Sequence, residues 1–346
     1  MKFYQKDPWD LSGVDDGIIT IDSHTGGELT RLVVGGIADI QGNSMVLKRE
    51  YFKKNYDHLR QMLTKEPRGH RGGLAAVVTE NVTADARFGL IYMDAKRYPY
   101  LCGHATIGAV VTLARTGFLE LREGENPIAI DTPSGIMETT AVMTQGKIES
   151  VAMNMVPSFV LETDKQIDVP GFGKLTIDLV YSGGFFAMIS SQQTGIDPVI
   201  ANSQILTELG MKIIDAANEQ AEVFHPERPE VKTVDVTEFY AAHHENVTEG
   251  KSIVVYGESH IDRSPCGTGT AAKLTLLHHL KKIDLHQKYT NYSPLGTSFD
   301  AKLIKTLKVG SLDAVVARVS GMAHITGVHK FILEEEDPFP QGFLLN

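Results

Sequence analysis

Short runs of β-branched and other apolar residues, separated by turn residues, recur along this chain and predict β-strands. In the first half they lie at 18–21, 32–34, 75–79 and 89–93. In the second half they lie near 148–154, 174–181, 185–190 and 253–256. Helical spacing of apolar residues predicts helices at 46–65, 104–116, 200–219 and 268–282. The two halves therefore repeat one plan of strands and helices.

The length of the chain predicts two lobes. Its 346 residues, 42% of them hydrophobic, exceed the size at which a single core usually stops growing. We predict a first lobe over 1–158, completed by 326–346, and a second lobe over 159–325. A linker is predicted near 155–165, and the prolines of 224–230 predict a loop.

The charge of the chain excludes some partners. A formal net charge of −10, with a pI near 5.7, argues against nucleic acid or an anionic membrane, because both require a basic patch. The first residues lack the apolar core of a signal peptide, and no apolar stretch is long enough to span a membrane. We expect a cytoplasmic protein whose two cysteines are free thiols.

Those two cysteines are the most informative residues of the chain. Cys102 opens the segment 102–106 and Cys266 opens 266–270, and both segments read Cys-Gly-x-x-Thr directly before a predicted helix. The first N–H groups of a helix lack partners and carry positive partial charge, so they favour a thiolate placed there. The adjoining glycines allow a ligand to approach the backbone closely.

Two thiols at facing helix starts suit proton transfer at a carbon next to a carboxylate. The backbone donors would stabilise the charge that develops on the carboxylate when the Cα proton leaves. One thiolate could remove the proton from one face while the other thiol returns a proton to the opposite face, which inverts the centre. Such a coupled pair would rest as one thiolate and one thiol.

The two cysteines have two alternative interpretations. Free cysteines are often small core residues, but the polar, glycine-rich surroundings argue against that here. A zinc site could be imagined from Cys102, Cys266, His24, His70 and His104, but the spacing shows no paired-ligand element, and zinc would occupy the thiols. We therefore predict no metal.

At these residues the sequence resembles the proline racemase family, which includes proline racemases, 4-hydroxyproline 2-epimerases and trans-3-hydroxyproline dehydratases. The resemblance spans nearly the whole chain. The matching segments are 21–28, 66–70, 102–104, 183–187 and 262–270, together with 337–339 and 342–343.

The resemblance implies an α/β (α+β) fold of two similar lobes, each a curved, mostly antiparallel sheet wrapped around a central helix. This is the architecture of diaminopimelate epimerase, with the active site in the cleft between the lobes. It implies a mechanism without pyridoxal phosphate, metal or other cofactor. Cys102 and Cys266 would be the acid and base. The substrate-binding residues would be Gly103, His104, Gly267 and Thr268 through their N–H groups, and Asp262 with the His104 ring at the substrate's ring nitrogen.

One segment departs from the family pattern. Residues 68–75 read Arg-Gly-His-Arg-Gly-Gly-Leu-Ala. The resemblance implies Arg-Gly-His-x-Asp-Met-Phe-Gly at the same place in proline racemases. Leu74 therefore replaces an aromatic residue that would pack on the substrate ring, and Tyr256 takes the second aromatic position. A tyrosine hydroxyl could bond a ring hydroxyl, or its ring could simply pack, so proline and 4-hydroxyproline both stay open.

Two further functions also stay open. In the dehydratases of this family a threonine replaces the second cysteine, so Cys266 favours racemisation or epimerisation over loss of water. A protein of the same fold that binds an imino acid without catalysis is the remaining alternative. The expected partner is a small imino acid, and a homodimer is left open.

Overall fold

The computed structural model describes residues 17–241, 248–257 and 260–345. Residues 1–16 of the predicted first lobe lie outside this part. The helices are α1 (Met45–Thr64), α2 (Gly103–Arg115), α3 (Ser191–Thr194), α4 (Ser203–Gln220) and α5 (Gly267–His279). The first strands are β1 (Gly17–Thr25), β2 (Glu28–Gly35), β3 (Leu74–Thr79), β4 (Phe88–Asp94), β5 (Gly124–Thr132), β6 (Gly135–Thr144), β7 (Lys147–Asn154), β8 (Ser158–Val169) and β9 (Gly173–Tyr181). The remaining strands are β10 (Phe185–Ser190), β11 (Val234–Tyr240), β12 (Glu249–Tyr256), β13 (His260–Ile261), β14 (Tyr289–Tyr292), β15 (Ser298–Val309), β16 (Leu312–Gly321) and β17 (Ala323–Ile332).

The strands form one hydrogen-bonded system in which most neighbours are antiparallel. The parallel pairs are β2 with β3, β4 with β5, β10 with β11 and β12 with β14. At the centre, β16 pairs with both β7 and β8, so strands from the two halves of the sequence are joined. β17 returns to pair with β1 along its whole length, from Gly17 opposite Ile332 to Thr25 opposite Ala323.

Two helices lie inside the sheet system. α2 packs against β1, β2, β3, β7 and β17, and α5 packs against β8, β9, β10, β15 and β16. Both helices are buried over most of their length and consist largely of small or apolar residues, as expected of helices that are covered on all sides. The predicted α+β class, with a mostly antiparallel sheet around a central helix, is confirmed.

The other two long helices lie outside these strands. α1 packs on β3 and β4 through residues such as Phe52 and Leu63, and α4 packs on β8, β11 and β12 through Leu206 and Ile213. Their apolar residues face the sheet on one side only, so these helices cover it from outside. No helix in the described part of the chain is long and apolar enough to cross a membrane.

The predicted linker near 155–165 is wrong, because β8 runs through it and pairs with β9. The error arose because Glu162, Asp164 and Lys165 interrupt the apolar pattern. The register shifts twice between Val160 and Lys165, and Asp164 has a φ of 57°, so an irregular bulge carries these polar residues.

Other boundaries also differ from prediction. α5 ends at His279 instead of near 282, because Lys281 has a φ of 56°, which a continuing helix does not allow. Residues 200–202 form a 3₁₀ turn before α4. The predicted loop at 224–230 contains only turns and an isolated bridge and is confirmed. β5, β6, β11 and β13 to β17 were not predicted. The division into lobes at 158 and 326 stays a prediction.

We predict that Gly321→Ala destabilises the protein by about 1–3 kcal/mol through overpacking. A methyl group at Gly321, at the end of β16, would collide with the buried Phe299 ring and lie 3.4 Å from Ile107 Cδ1 of α2. In a Phe299→Ala background the same methyl would enter the space left by the ring, so its cost should largely vanish. Urea denaturation of the two single variants and the double variant measures this coupling. Additive effects would contradict the prediction.

Candidate active site

The two cysteines occupy equivalent positions at two helix starts. Cys102 is the N-cap of α2 and Cys266 is the N-cap of α5. The first helical residues meet: a methyl group at Gly103 would lie 3.7 Å from Gly267 Cα, and one at Gly267 would lie 3.8 Å from Gly103 Cα. The predicted placement of both thiols at facing helix N-termini is therefore observed. The unpaired N–H groups of both first turns lie close together.

Methionine side chains cover the junction of the two helices. A methyl group at Gly103 would lie 3.2 Å from Met153 Cε, and one at Gly267 would lie 3.6 Å from it and 3.9 Å from Met155 Cε. At Gly103 the methyl group would require Met153 to shift slightly, whereas at Gly267 it would make only ordinary contacts. The junction of the two helix starts is therefore closely covered by methionine side chains.

The Cys266 thiol is fixed from several sides. Its sulfur accepts a hydrogen bond from the Gly269 N–H at 3.3 Å and lies 3.4 Å from Thr268 Oγ1. Its own N–H donates to Ser264 Oγ at 3.1 Å. Cys266 has a φ of 58°, in the left-handed region that non-glycine residues rarely adopt and that is found at functional sites.

Burial raises the pKa of the Cys266 thiol well above its ordinary value, and the Asp262 carboxyl acts in the same direction. The hydrogen bonds from Thr268 and Gly269 oppose this shift without cancelling it. Burial therefore opposes the effect of the helix start at Cys266 and favours the neutral thiol.

Cys102 has a histidine as its neighbour. Its sulfur lies 3.4 Å from His104 Nδ1 and 3.7 Å from Nε2. Burial alone would lower the pKa of His104, but the charge and hydrogen bond of Cys102, with Asp262 and Glu28 nearby, raise it to about 10. His104 is therefore an imidazolium at neutral pH. Such a cation offers no acceptor to a ring N–H, which limits the role predicted for this ring.

Two buried carboxyl groups, those of Asp262 and Glu28, act on His104. Asp262 accepts a hydrogen bond from the Ser264 N–H at 2.8 Å, and burial together with Glu28 raises its pKa. Burial disfavours the Glu28 carboxylate too, but the hydrogen bond and charge of His260, with His104 and the Arg263 N–H, lower its pKa overall. Glu28 is the ionised member of the two, and like charge on both would be costly.

Sequence reasoning gave no role to Glu28, His260 or Arg263, although all three belong to this cluster. Glu28 is fully buried and accepts from the Arg263 N–H at 2.8 Å and lies 3.3 Å from His260 Nε2. Glu28 and Arg263 both fall in segments that carry the family resemblance, which was a usable signal. His260 had none.

Tyr256 lies next to the cluster of Glu28, His260 and Arg263. It is half-buried and pairs with His260 across β12 and β13, with the two rings edge to face at 5.0 Å. Burial raises its pKa, and the charges of Asp262, Glu28 and both cysteines act in the same direction. The Arg97 guanidinium lies 5.9 Å from its ring centre. The neighbours of the Tyr256 ring, His260 and Arg97, are therefore polar.

Leu74 starts β3 and is buried in the hydrophobic core against which Cys102 packs. The glycines before it have a structural reason. A methyl group at Gly72 would collide with the His260 imidazole, and Gly73 closes a turn by donating to the His70 carbonyl at 2.7 Å. In this chain the His260 ring takes the space that a larger residue at position 72 would need.

His24 and His70, the other histidines considered as zinc ligands, make separate contacts. His24 accepts a hydrogen bond from the Gly27 N–H at 3.3 Å and stacks loosely on His324 at 5.3 Å. His70 is half-buried, and burial and Arg263 lower its pKa. Within residues 17–241, 248–257 and 260–345, no group of three or more histidine, cysteine or acidic side chains is arranged to hold a metal ion.

Two cysteine-capped helix starts thus lie close together within an α+β sheet system. Comparison with known proteins identifies the family. The proline racemase family model matches residues 20–344. The chain is 40% identical over 328 residues to a proline racemase of Clostridioides difficile, covering 95% of this chain and 98% of that one. It is 35% identical over 325 residues to a 4-hydroxyproline 2-epimerase of Streptosporangium roseum, covering 94% and 97%.

A solved structure gives the same result. The crystal structure of a hydroxyproline epimerase from Agrobacterium vitis with bound trans-4-hydroxy-L-proline has a TM-score of 0.87, 27% identity and coverage of 96% of each chain. The chain therefore belongs to the proline racemase family and is an isomerase of the amino-acid racemase and epimerase type. The individual residue roles stay predictions.

We predict that the pKa of His104 falls when Cys102→Ser removes the sulfur charge. In the unaltered protein the His104 ring should titrate near 10; in the variant, burial should dominate and release the proton at lower pH. NMR titration of the imidazole nitrogens measures both values. His24 and His70, whose pKa values lie below 6.5, serve as controls that the variant should leave unchanged. An identical His104 titration in both proteins would refute the assignment.

Proposed function

We propose that this chain is a cofactor-independent racemase or epimerase that inverts the Cα centre of a small imino acid, with Cys102 and Cys266 as the two bases. The observation that carries the proposal is the close approach of Gly103 and Gly267, which brings two cysteine-capped helix starts together. This symmetric arrangement supplies one thiol for each face of a substrate held between them.

The substrate carboxylate would lie against the N–H groups of Gly103, His104, Gly267 and Thr268. These donors are fixed before the reaction, so they stabilise the charge that moves onto the carboxylate when the Cα–H bond breaks. The imidazolium of His104 lies beside Cys102 and adds positive charge at the same end.

The different surroundings of the two thiols support one direction of proton transfer. Cys102, beside an imidazolium, is the base that removes the Cα proton, and Cys266, kept as a thiol by burial, donates its proton to the opposite face. One turnover leaves Cys102 as the thiol and Cys266 as the thiolate. The reverse reaction starts from that form.

For the substrate we propose 4-hydroxyproline. Tyr256 is half-buried, and the charges of both cysteines act on its hydroxyl. That hydroxyl is not among the fully buried oxygens that lack a partner, so a ring hydroxyl of the substrate could reach it and form a hydrogen bond. Leu74, which the family resemblance places where proline racemases carry an aromatic residue, would offer less packing to an unsubstituted ring. Proline is the second candidate, because the chain is more similar to the proline racemase of Clostridioides difficile than to the epimerase of Streptosporangium roseum.

Other expectations enter this proposal unchanged. The reaction requires no pyridoxal phosphate or metal, and the partner is a small imino acid. A cytoplasmic location stays an expectation and a homodimer stays open; the activity depends on neither.

We predict that the purified protein exchanges the Cα proton of trans-4-hydroxy-L-proline in D₂O and inverts that centre, faster than it does with L-proline. Proton NMR measures exchange and optical rotation measures inversion. Cys102→Ser and Cys266→Ser should each lower the rate by roughly 10²-fold or more, because each removes one base, while their melting temperatures stay close to that of the unaltered protein. Full exchange in both variants would sink the two-base mechanism.

The same assay separates the alternatives. Formation of a cyclic imine from trans-3-hydroxy-L-proline, without inversion of the other two compounds, would assign the protein to the dehydratases. Binding of an imino acid detected as thermal stabilisation, with no deuterium entering it, would indicate a binding protein without catalysis.

We predict that Tyr256→Phe lowers kcat/KM for 4-hydroxyproline by roughly tenfold, the effect of losing one hydrogen bond in a buried site, and changes kcat/KM for proline little. The ratio of the two values in each protein is the measurement. An equal loss for both substrates would mean that Tyr256 acts only through its ring.

A further inference from the structure

A buried carboxyl group lies behind Cys266 and has no part in the reaction described above. Glu238, on β11, is fully buried, and no hydrogen bond of ordinary geometry reaches either of its carboxyl oxygens among the residues that the structure describes; the Ser252 hydroxyl is near enough to oppose the rise of its pKa. An unpaired buried carboxylate is among the most costly groups in a protein interior. The position therefore calls for a reason.

The geometry links Glu238 to the turn that holds the Cys266 sulfur. A methyl group built on Gly269 would lie 3.0 Å from Glu238 Oε2 and 3.2 Å from Cys266 Cβ. The Gly269 N–H is the donor to the Cys266 sulfur at 3.3 Å. The Glu238 carboxyl group, the Val254 side chain and Cys266 therefore all border the same glycine.

Few charges compensate Glu238. Lys273 of α5 is buried and holds its ammonium 3.0 Å from the centre of the Tyr240 ring, and the described ion pairs do not join it to Glu238. Asn291 directs its amide to Ser252 and to the carbonyl of Pro265, one residue before Cys266. The polar groups around Glu238 are thus tied to the loop that carries the thiol.

The Glu238 carboxyl group gains or loses its proton close to neutral pH. Burial raises the pKa of Glu238 to about 8, with Lys273 opposing the shift, and burial lowers the pKa of Lys273 to about 7. The titratable groups that act on these two or face them are Cys266 and Lys282 beside α5, Asp178 on β9, Tyr240 on β11, and Tyr289 on β14.

We propose that Glu238 is a positioning residue for Cys266 whose neutral form permits the Cys266 thiolate and whose ionised form suppresses it. Two negative charges this close in a medium of low dielectric exclude each other. Glu238 transfers no proton to the substrate; it acts only through its charge. The claim about the thiol stands on its own, and its effect on turnover rests on the proposed function, because only a Cys266 that acts as a base needs the thiolate.

The test is the pH dependence of iodoacetamide alkylation at each cysteine, resolved by peptide mass spectrometry in the absence of substrate. In Glu238→Gln the amide cannot ionise, so above pH about 8 Cys266 should react about tenfold faster than in the unaltered protein, which corresponds to a thiol pKa lower by about one. Alkylation of Cys102 should not change.

Asp178→Asn is the matched control. It makes the same change from carboxyl to amide beside Lys273 and Tyr240, but from β9. It should leave the Cys266 profile unaltered. Equal Cys266 profiles in the unaltered protein and Glu238→Gln would overturn the proposal, as would an equal acceleration in Asp178→Asn.

A measurement on the unaltered protein covers the case in which the Glu238 variant does not fold. Because Glu238 ionises over the same range, the Cys266 alkylation rate should rise less than about tenfold per pH unit around pH 8. A simple one-proton curve would overturn the proposal. If the profiles agree with it but no imino acid exchanges its Cα proton, the proposed function fails while the coupling of Glu238 to Cys266 stands.

Discussion

The approach of two helix N-termini through a pair of glycines is the constraint on which the rest of the site depends. α2 and α5 come from opposite halves of the sequence, and each is enclosed by its own strands. They touch where Gly103 meets Gly267. A methyl group on either glycine would already be in van der Waals contact with the other helix start, so the two cysteines belong to one site. The strands around each helix serve to hold this one contact.

The two thiols are equivalent in sequence and unlike in surroundings. Cys102 has the His104 imidazolium at 3.4 Å, whereas Cys266 is buried near Asp262 and Glu238 and holds its proton. A symmetric scaffold thus carries an asymmetric charge distribution. The asymmetry comes from residues outside the repeated motif, which explains why the motif alone did not reveal it.

Much of the fold could be predicted from the sequence, because the apolar runs of β3, β4, β9 and β10 and the pattern of α1 and α2 are strong local signals. β8 escaped prediction since its bulge places charged residues within a paired strand. The facing helix starts were predicted from the two Cys-Gly segments. The charge cluster of Glu28, His260 and Arg263 was not, because it assembles residues far apart in sequence, and the pKa of Cys266 depends on burial that only the fold decides.

The pairing of β1 with β17 has a consequence for how the protein is made. A ribosome makes β1 before the other described strands and β17 after them, and the two are hydrogen-bonded from Gly17 to Thr25. One edge of β1 therefore has no partner until β17 has been synthesised, and an open strand edge invites association with other chains. The strands around α5, which are nearer to one another in sequence, can assemble first. The strands around α2 are completed only when β17 is made.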